Sequence, residues 1–343
     1  MEYLSRKYLA LLRKRYGVGP DAVSDAPPLE IWPELGGIAE PAEIPAVIAS
    51  QSASSPRLLN HYWNLLLGHL MEEVDPAFAA RVAIFIGEVP DSRFNALTTG
   101  GGGRHLILVQ RGLELFLYRM AFVIVGSMRW RFDDPDGSRT VVEPDIDMAA
   151  AIAEMRANLA LLRAGRHRMP IALSSPAMLR IAPFLAYAMQ QFVIAHEIGH
   201  IAQAVWRRHP PQSAREQAMP ARARDLPWPA WREEAVCDMF AADLCEKLVV
   251  RNAPRFGLEG RLARRLLAEA PHVVFLFMQV LEHAGSAPGR GYPSHPPAAM
   301  RSTILIEHQS AHDLLAEERD LVAECCRHVA TLAGLVPSGH TPN

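Results

Sequence analysis

The chain has 343 residues, and its 35 Lys or Arg against 37 Asp or Glu give a formal net charge of −2. With 50% hydrophobic residues, a globular protein with one large domain or two ordinary ones is expected, and a disordered chain is excluded. This charge balance argues against a nucleic-acid-binding protein, which usually gathers a basic excess on one face.

The first 54 residues are predicted to form an arm that precedes the folded body. Residues 1–17 mix basic and apolar positions as an amphipathic helix does, without the continuous apolar run of a signal peptide. Residues 20–45 are rich in proline and lack periodicity, which is typical of a linker. We expect a single domain over residues 55–340.

A small sheet is predicted at the start of this body. Apolar spacing predicts a helix over residues 56–73, and β-rich runs at 82–88 and 105–110 predict two strands of one sheet. We expect residues 100–103, four glycines, to form a flexible turn, because no Gly-Lys-Ser/Thr follows as in a phosphate loop. Residues 113–125 fit either a helix or a strand.

The rest of the chain is predicted to be mostly helical. An Asp-Gly pair indicates a hairpin within residues 129–142, and Ser175 is expected to cap a helix whose first turn contains Pro176. Further helices are expected over residues 147–164, from Pro183 to about 208, over 229–250 and 258–283, and from 298 to about 335. A small sheet followed by many helices makes the fold class α+β.

Neither a membrane span nor a disulfide framework is expected. The most apolar stretches, residues 113–125 and 181–194, are interrupted by polar residues and proline before the roughly 20 residues that a span requires. Four cysteines are too few for a disulfide scaffold in a chain of this length. A cytoplasmic location is therefore expected.

Residues 196–200 read His-Glu-Ile-Gly-His and indicate a metal site. Residues four apart share one face of a helix, so His196 and His200 can bind one ion while Glu197 reaches a water in its open position. Such a match is expected by chance about 0.06 times in a chain of this composition. The alternative, two core histidines on an apolar helix, is therefore disfavoured, and one zinc per chain is the predicted cofactor.

A catalytic zinc needs a third protein ligand. Glu234 and Asp238 are four apart on a later predicted helix, so Glu234 is predicted to complete the set. Asp238 is predicted to accept the other N–H of a metal-bound histidine. Glu233 is the rival ligand, but it has Cys237 four residues on instead of a carboxylate. The alternative for this acidic pair is a solvated helix face.

With these residues the chain resembles the HtpX and prenyl-protease type of gluzincin metallopeptidases. Before the zinc helix stand Asn95-Ala96-Leu97, the glycine run, a strand-like run and Gly112-Leu113, similar to the family's NAF…GG…GL segment. After the third ligand stand His295-Pro296-Pro297 and Arg301, similar to its HPP…R motif. The likeness spans roughly residues 84–305, in the family's order.

The resemblance implies a zincin-like, mostly helical fold in which the edge strand of the sheet borders the zinc cleft. The run 105–110 is expected to be that edge and to pair with an extended substrate. His295 is expected near the metal, to steady an oxyanion or to cap the ion, and Arg301 to bind a carboxylate of the site or the substrate. Residues 126–175 are expected to be an insertion, since this interval is longer than in the family.

The implied activity is that of a zinc endopeptidase acting on a protein or peptide, with Glu197 taking a proton from water. Two alternatives stay open. A protein of the same fold could keep zinc for regulation or partner recognition, although the presence of Glu197 favours hydrolysis. A toxin or phage-defence protease would share the chemistry and act on one host target. The sequence sets neither the substrate nor the oligomeric state.

Overall fold

The computed structural model describes most of the predicted body. The described residues are 56–89, 94–133, 139–166, 170–206, 219–252, 258, 260–283 and 295–311, with the single residues Lys7, Ala10, Lys14, His328, Ala330 and Thr331. Those single residues are helical. The remainder of the predicted arm, the glycine- and proline-rich segment before residue 295 and most of the chain after 311 lie outside the described residues.

Helices dominate the described part of the chain. Their bounds, in chain order, are α1 Pro56–Glu73, α2 Pro76–Ala79, α3 Arg111–Ser127, α4 Met148–Arg163, α5 Met178–Trp206, α6 Ala221–Arg224, α7 Pro229–Asn252, α8 Gly260–His283 and α9 Ala298–Ala311. The strands are β1 Ala83–Val89, β2 Ala96–Gly101, β3 Arg104–Gln110, β4 Trp130–Asp133 and β5 Arg139–Val142. A small mixed sheet and many helices confirm the α+β class.

The three-stranded sheet has the order β1-β3-β2, with β1 parallel and β2 antiparallel to β3. The prediction that residues 105–110 form the sheet edge is therefore wrong, because β3 is the central strand and its residues 105–110 are buried. The edge strand that contacts α5, the helix of the two predicted histidine ligands, is β2, which the sequence did not predict as a strand.

Two of the four glycines explain how β2 and β3 are joined. Gly102 and Gly103 have φ of +61° and +79° and connect the paired residues Gly101 and Arg104. Two successive positive φ values suit the tight hairpin turns that twist with the strands. The turn is thus a two-residue loop, and Gly100 and Gly101 belong to β2.

Helix α5 is the centre of the helical layer. It packs against α3, α7 and α8 and also contacts β2. Helix α3 is buried from Gly112 to Ser127. Its apolar residues therefore lie on all sides of the helix, and the sequence shows no amphipathic pattern that would distinguish a helix from a strand. One hydrophobic core runs through these elements, from Trp63 in α1 to Leu305 in α9.

The central helix α5 contains a stretch with the length and composition of a membrane span. Met178–Val205 is long and apolar enough to cross a membrane by length and composition, and 83% of its most apolar window is buried inside the protein. Buried core helices of globular proteins share these properties. The expectation of no membrane span stays a prediction.

One predicted helix boundary is corrected. The helix predicted to start at Pro183 begins at Met178 and continues through this proline, so the first helix and the longer one are a single element. Proline there removes one main-chain hydrogen bond near the helix start, while packing on three neighbouring helices holds the rest. Of the helical region predicted from 298 to about 335, the structure describes α9, Ala298–Ala311, and the helical residues His328, Ala330 and Thr331; the rest of that region lies outside the described residues.

The predicted insertion contains a hairpin and a helix. Strands β4 and β5 pair antiparallel as predicted, and α4 packs on α3. The Asp147 side chain accepts a hydrogen bond from the main-chain N–H of Ala150 at the start of α4. Asp145 accepts hydrogen bonds from the main chain of Ser174 and Ser175, which ties the hairpin side of this segment to the start of α5.

Candidate metal centre

Helices α5 and α7 approach each other closely at the predicted site. Gly199 lies between the two histidines of α5, and a Cβ added there would lie 3.0 Å from Cα of Cys237 on α7. Gln203, one turn further on, donates from Nε2 to the main-chain oxygen of Glu233 at 2.8 Å. The absence of a side chain at residue 199 therefore lets α7 bring its acidic residues to the histidines.

The three predicted ligands converge. Nε2 of His196 lies 3.3 Å from Oε2 of Glu234, and Nε2 of His200 lies 3.4 Å from Oε1 of the same carboxylate. One ligand atom from each residue lies within 4.8 Å of the others. Ligand atoms bound at about 2.0–2.1 Å around a tetrahedral ion lie roughly 3.3–3.4 Å apart. This buried group could therefore hold a metal ion.

The Glu234 carboxylate also fits a metal better than a hydrogen-bonded role. Its Oε2 is buried and accepts no hydrogen bond from the described residues. Burial would raise the pKa of Glu234, but the neighbouring His196 and Arg301 outweigh it and lower the pKa, so the carboxylate is ionised. Glu233, the alternative third ligand, is half-buried and contributes no atom to this converging group.

Asp238 fixes the tautomer of His196. Nδ1 of His196 lies 2.8 Å from Oδ1 of Asp238. An ionised carboxylate only accepts hydrogen bonds, so Nδ1 carries the hydrogen and the lone pair of Nε2 is left to face Glu234. Burial lowers the pKa of His196, but Asp238 outweighs burial and raises it to about 9. Protons and a metal therefore compete for this Nε2.

Arg301 holds Asp238 from the other side. Its Nε and Nη2 donate to Oδ2 and Oδ1 of Asp238 at 2.8 and 2.6 Å, and its guanidinium lies 4.9 Å from the ring centre of Phe275. Burial would raise the pKa of Asp238, but the charge and hydrogen bonds of Arg301 hold it at about 2. Arg301 was expected to bind either a carboxylate of the site or the substrate, and in the structure it binds the carboxylate of Asp238.

Glu197 lies beside the converging atoms, on the next residue of α5. Its side chain is buried, and its Oε2 accepts a hydrogen bond of 2.8 Å from Oγ1 of Thr98 on β2. Burial raises the pKa of Glu197 against the lowering effects of His196 and of the Thr98 hydrogen bond. A carboxyl group whose pKa is moved upwards is suited to take a proton and give it up again.

His295 also reaches the site. Its Nε2 lies 3.4 Å from Oε1 of Glu234, although its side chain is 53% exposed. Burial lowers the pKa of His295, which favours a neutral ring. The next residue, Pro296, is buried and leads into α9, so the imidazole is presented from a restricted backbone.

Two residues of this centre were missed by the sequence analysis. Thr98 was not singled out, because nothing in the local sequence indicates that a strand residue faces α5. Phe275 lies in α8 at an apolar position that reads as core, and only the fold shows that its ring lies under the guanidinium of Arg301.

Comparison of this chain with protein-family models, with curated proteins and with solved structures found no match. Its function is therefore inferred from the chemistry of its own residues.

Proposed function

We propose that this protein is a zinc-dependent metallopeptidase of zincin-like fold, similar to the HtpX and prenyl-protease type, that hydrolyses peptide bonds of a protein or peptide. One observation carries the proposal. Two imidazole nitrogens and a buried carboxylate converge, with one ligand atom from each within 4.8 Å of the others, and Glu197, next to His196 in the chain, adds a second buried carboxylate. The donor set of two histidines and one glutamate suits zinc and leaves one position for water or substrate.

His196, His200 and Glu234 would hold the ion. Zinc bound there supplies a Lewis acid that lowers the pKa of a water from about 15.7 to roughly 7 and polarises the substrate carbonyl. Asp238 keeps the proton of His196 on Nδ1 and so keeps Nε2 free to bind. Arg301 keeps Asp238 ionised and oriented through two hydrogen bonds.

Glu197 is the general base in this proposal. Its carboxylate is buried beside the ligands but is not one of them. It takes the proton of the attacking water and then gives it to the leaving amine. His295 has two candidate roles of opposite sign: as a donor to the developing oxyanion it raises the rate, and as a cap on the ion it lowers the rate.

The substrate is proposed to lie along β2. Gln110 donates its main-chain N–H to Asn95, so the odd-numbered residues of β2 pair with β3 and the even-numbered ones face the edge that no other described strand covers. Ala96 and Thr98 then offer N–H and C=O groups to an extended peptide. Ala96→Pro removes one outward donor and should raise KM, whereas unchanged kinetics in a folded variant would place the substrate elsewhere.

New termini in a cell lysate test the activity itself. Purified protein is incubated with lysate alone, with a chelator, and with chelator followed by added zinc, and new N-termini are identified by mass spectrometry. We expect cleavage to stop with the chelator and return with zinc. Tightly bound zinc without any new termini would favour the regulatory or recognition alternative, and a single cleaved protein would favour the one-target protease.

A further inference from the structure

We infer that Thr98 is a positioning residue for Glu197, which links the general base to the strand that binds the substrate. This inference rests on the proposed function. Oγ1 of Thr98 lies 2.8 Å from Oε2 of Glu197 and 3.2 Å from the main-chain oxygen of the same residue. A hydroxyl has one hydrogen, and the shorter contact to the charged acceptor is the stronger one. Thr98 therefore donates to the carboxylate.

The carboxylate of Glu197 depends on this one donor. Within the described part of the chain, no other hydrogen bond reaches it, although the side chain is only 7% exposed. A glutamate side chain has several rotatable bonds, and burial alone does not select among its rotamers. The Thr98 hydrogen bond fixes Oε2 and leaves Oε1 as the oxygen that can accept a proton from water.

The main-chain groups of Thr98 point in a different direction from its side chain. Thr98 is an even-numbered residue of β2, so its main-chain N–H and C=O point away from β3, towards the edge that no other described strand covers. A peptide bound there would pair with the main chain of the same residue whose side chain holds Glu197. Ordering of β2 by the substrate would thus order the base, and a peptide that fails to pair would meet a less well-placed carboxylate.

Replacement by valine isolates the hydroxyl. Thr98→Val keeps the β-branched shape of the side chain and all main-chain groups but removes the donor. Loss of a hydrogen bond to a charged group should lower kcat roughly 10- to 100-fold. KM should change little, because the substrate still finds the same backbone edge. Thr98→Ser restores a donor and should recover most of the rate.

Thr99→Val is the matched control. Thr99 is the next residue of the same strand, and its side chain points to the opposite face. It should keep the wild-type kcat and KM, and all three variants should bind one zinc per chain. A kcat unchanged in Thr98→Val, or a loss that appears only in KM, would overturn the inference.

Crystal structures give a readout that does not depend on turnover. In Thr98→Val the Glu197 side chain should leave its wild-type position, while in Thr98→Ser and Thr99→Val it should keep it. An unmoved Glu197 in Thr98→Val would overturn the inference. If the wild-type protein cleaves no peptide, the proposed function fails, and these structures still decide whether Thr98 positions Glu197.

Discussion

Gly199→Ala tests whether the close approach of α5 and α7 builds the metal centre. The added methyl carbon would lie 3.0 Å from Cα and 3.1 Å from Cβ of Cys237. Carbon atoms normally meet at about 3.5–4.0 Å, so the two helices must separate by roughly 0.5 Å. Gly68→Ala is the control, because Gly68 lies in α1 and a Cβ there would meet no atom of the described residues within 4 Å.

The comparison isolates the cost of this overlap. Both substitutions gain about 1 kcal/mol of helix propensity, so that gain cancels between them. Overpacking should therefore make Gly199→Ala about 1–3 kcal/mol less stable than Gly68→Ala. A displacement of roughly 0.5 Å also exceeds the ±0.2 Å tolerance of metal–ligand distances, so zinc affinity should fall at least about tenfold.

Chemical denaturation of the metal-free proteins measures the free energy of unfolding, and competition with a chromogenic chelator measures zinc affinity. We expect Gly68→Ala to be as stable as the wild type or more stable, with unchanged zinc affinity. Equal stability and equal zinc affinity in the two variants would show that the spacing of α5 and α7 does not control the centre.

The other predictions concern the ligands, the Asp238 partner and a buried histidine. Metal analysis of purified variants should show that Glu234→Gln loses zinc while Glu233→Gln keeps it; the reverse result would move the ligand by one residue. Arg301→Ala leaves the Asp238 carboxylate buried without its cation and should cost about 3–5 kcal/mol in denaturation experiments; a cost under about 1 kcal/mol would contradict that account. Burial lowers the pKa of His272 to about 4, below the ordinary value of roughly 6.5 in the unfolded chain. The unfolded state therefore binds more protons between these values, and stability should fall by up to roughly 1.4 kcal/mol per unit as the pH drops from 6.5 to 4. His272→Gln should flatten this slope, and an unchanged slope would assign the acid sensitivity to other groups.

The converging ligands could be predicted because their spacing is local. His196 and His200 are four apart, as are Glu234 and Asp238, and helix geometry alone places each pair on one face. The predicted ligand set requires α5 and α7 to touch, but helix spacing does not show which residues permit that contact. That contact depends on Gly199 facing Cys237, and only the fold shows it.

The sheet shows what local patterns miss. Residues 96–101 end in glycines and lack a strand-like alternation, so no strand was predicted there and the two glycines were assigned to a turn. They form β2 because the Gly102–Gly103 loop folds them back on β3, and because Thr98 meets Glu197 across the chain. Both are long-range pairings that outweigh weak β-propensity.

The prediction that a helix starts at Pro183 was wrong for a related reason. A proline breaks an isolated helix, but its missing N–H costs α5 only one hydrogen bond. The helix around it is buried against α3, α7 and α8. Tertiary packing therefore outweighs the propensity of proline, and the helix starts at Met178 and not at Pro183.

Hydrolysis by Glu197→Gln, compared with the wild type at equal zinc content, tests the central claim most directly. Glutamine keeps the shape of the side chain but cannot take a proton from water. Both proteins are incubated with a pool of peptides, and the products are identified by mass spectrometry after metal analysis has shown one zinc per chain in each. The account predicts cleavage by the wild type and a rate at least roughly 100-fold lower in Glu197→Gln. Equal cleavage by the two zinc-loaded proteins would contradict it.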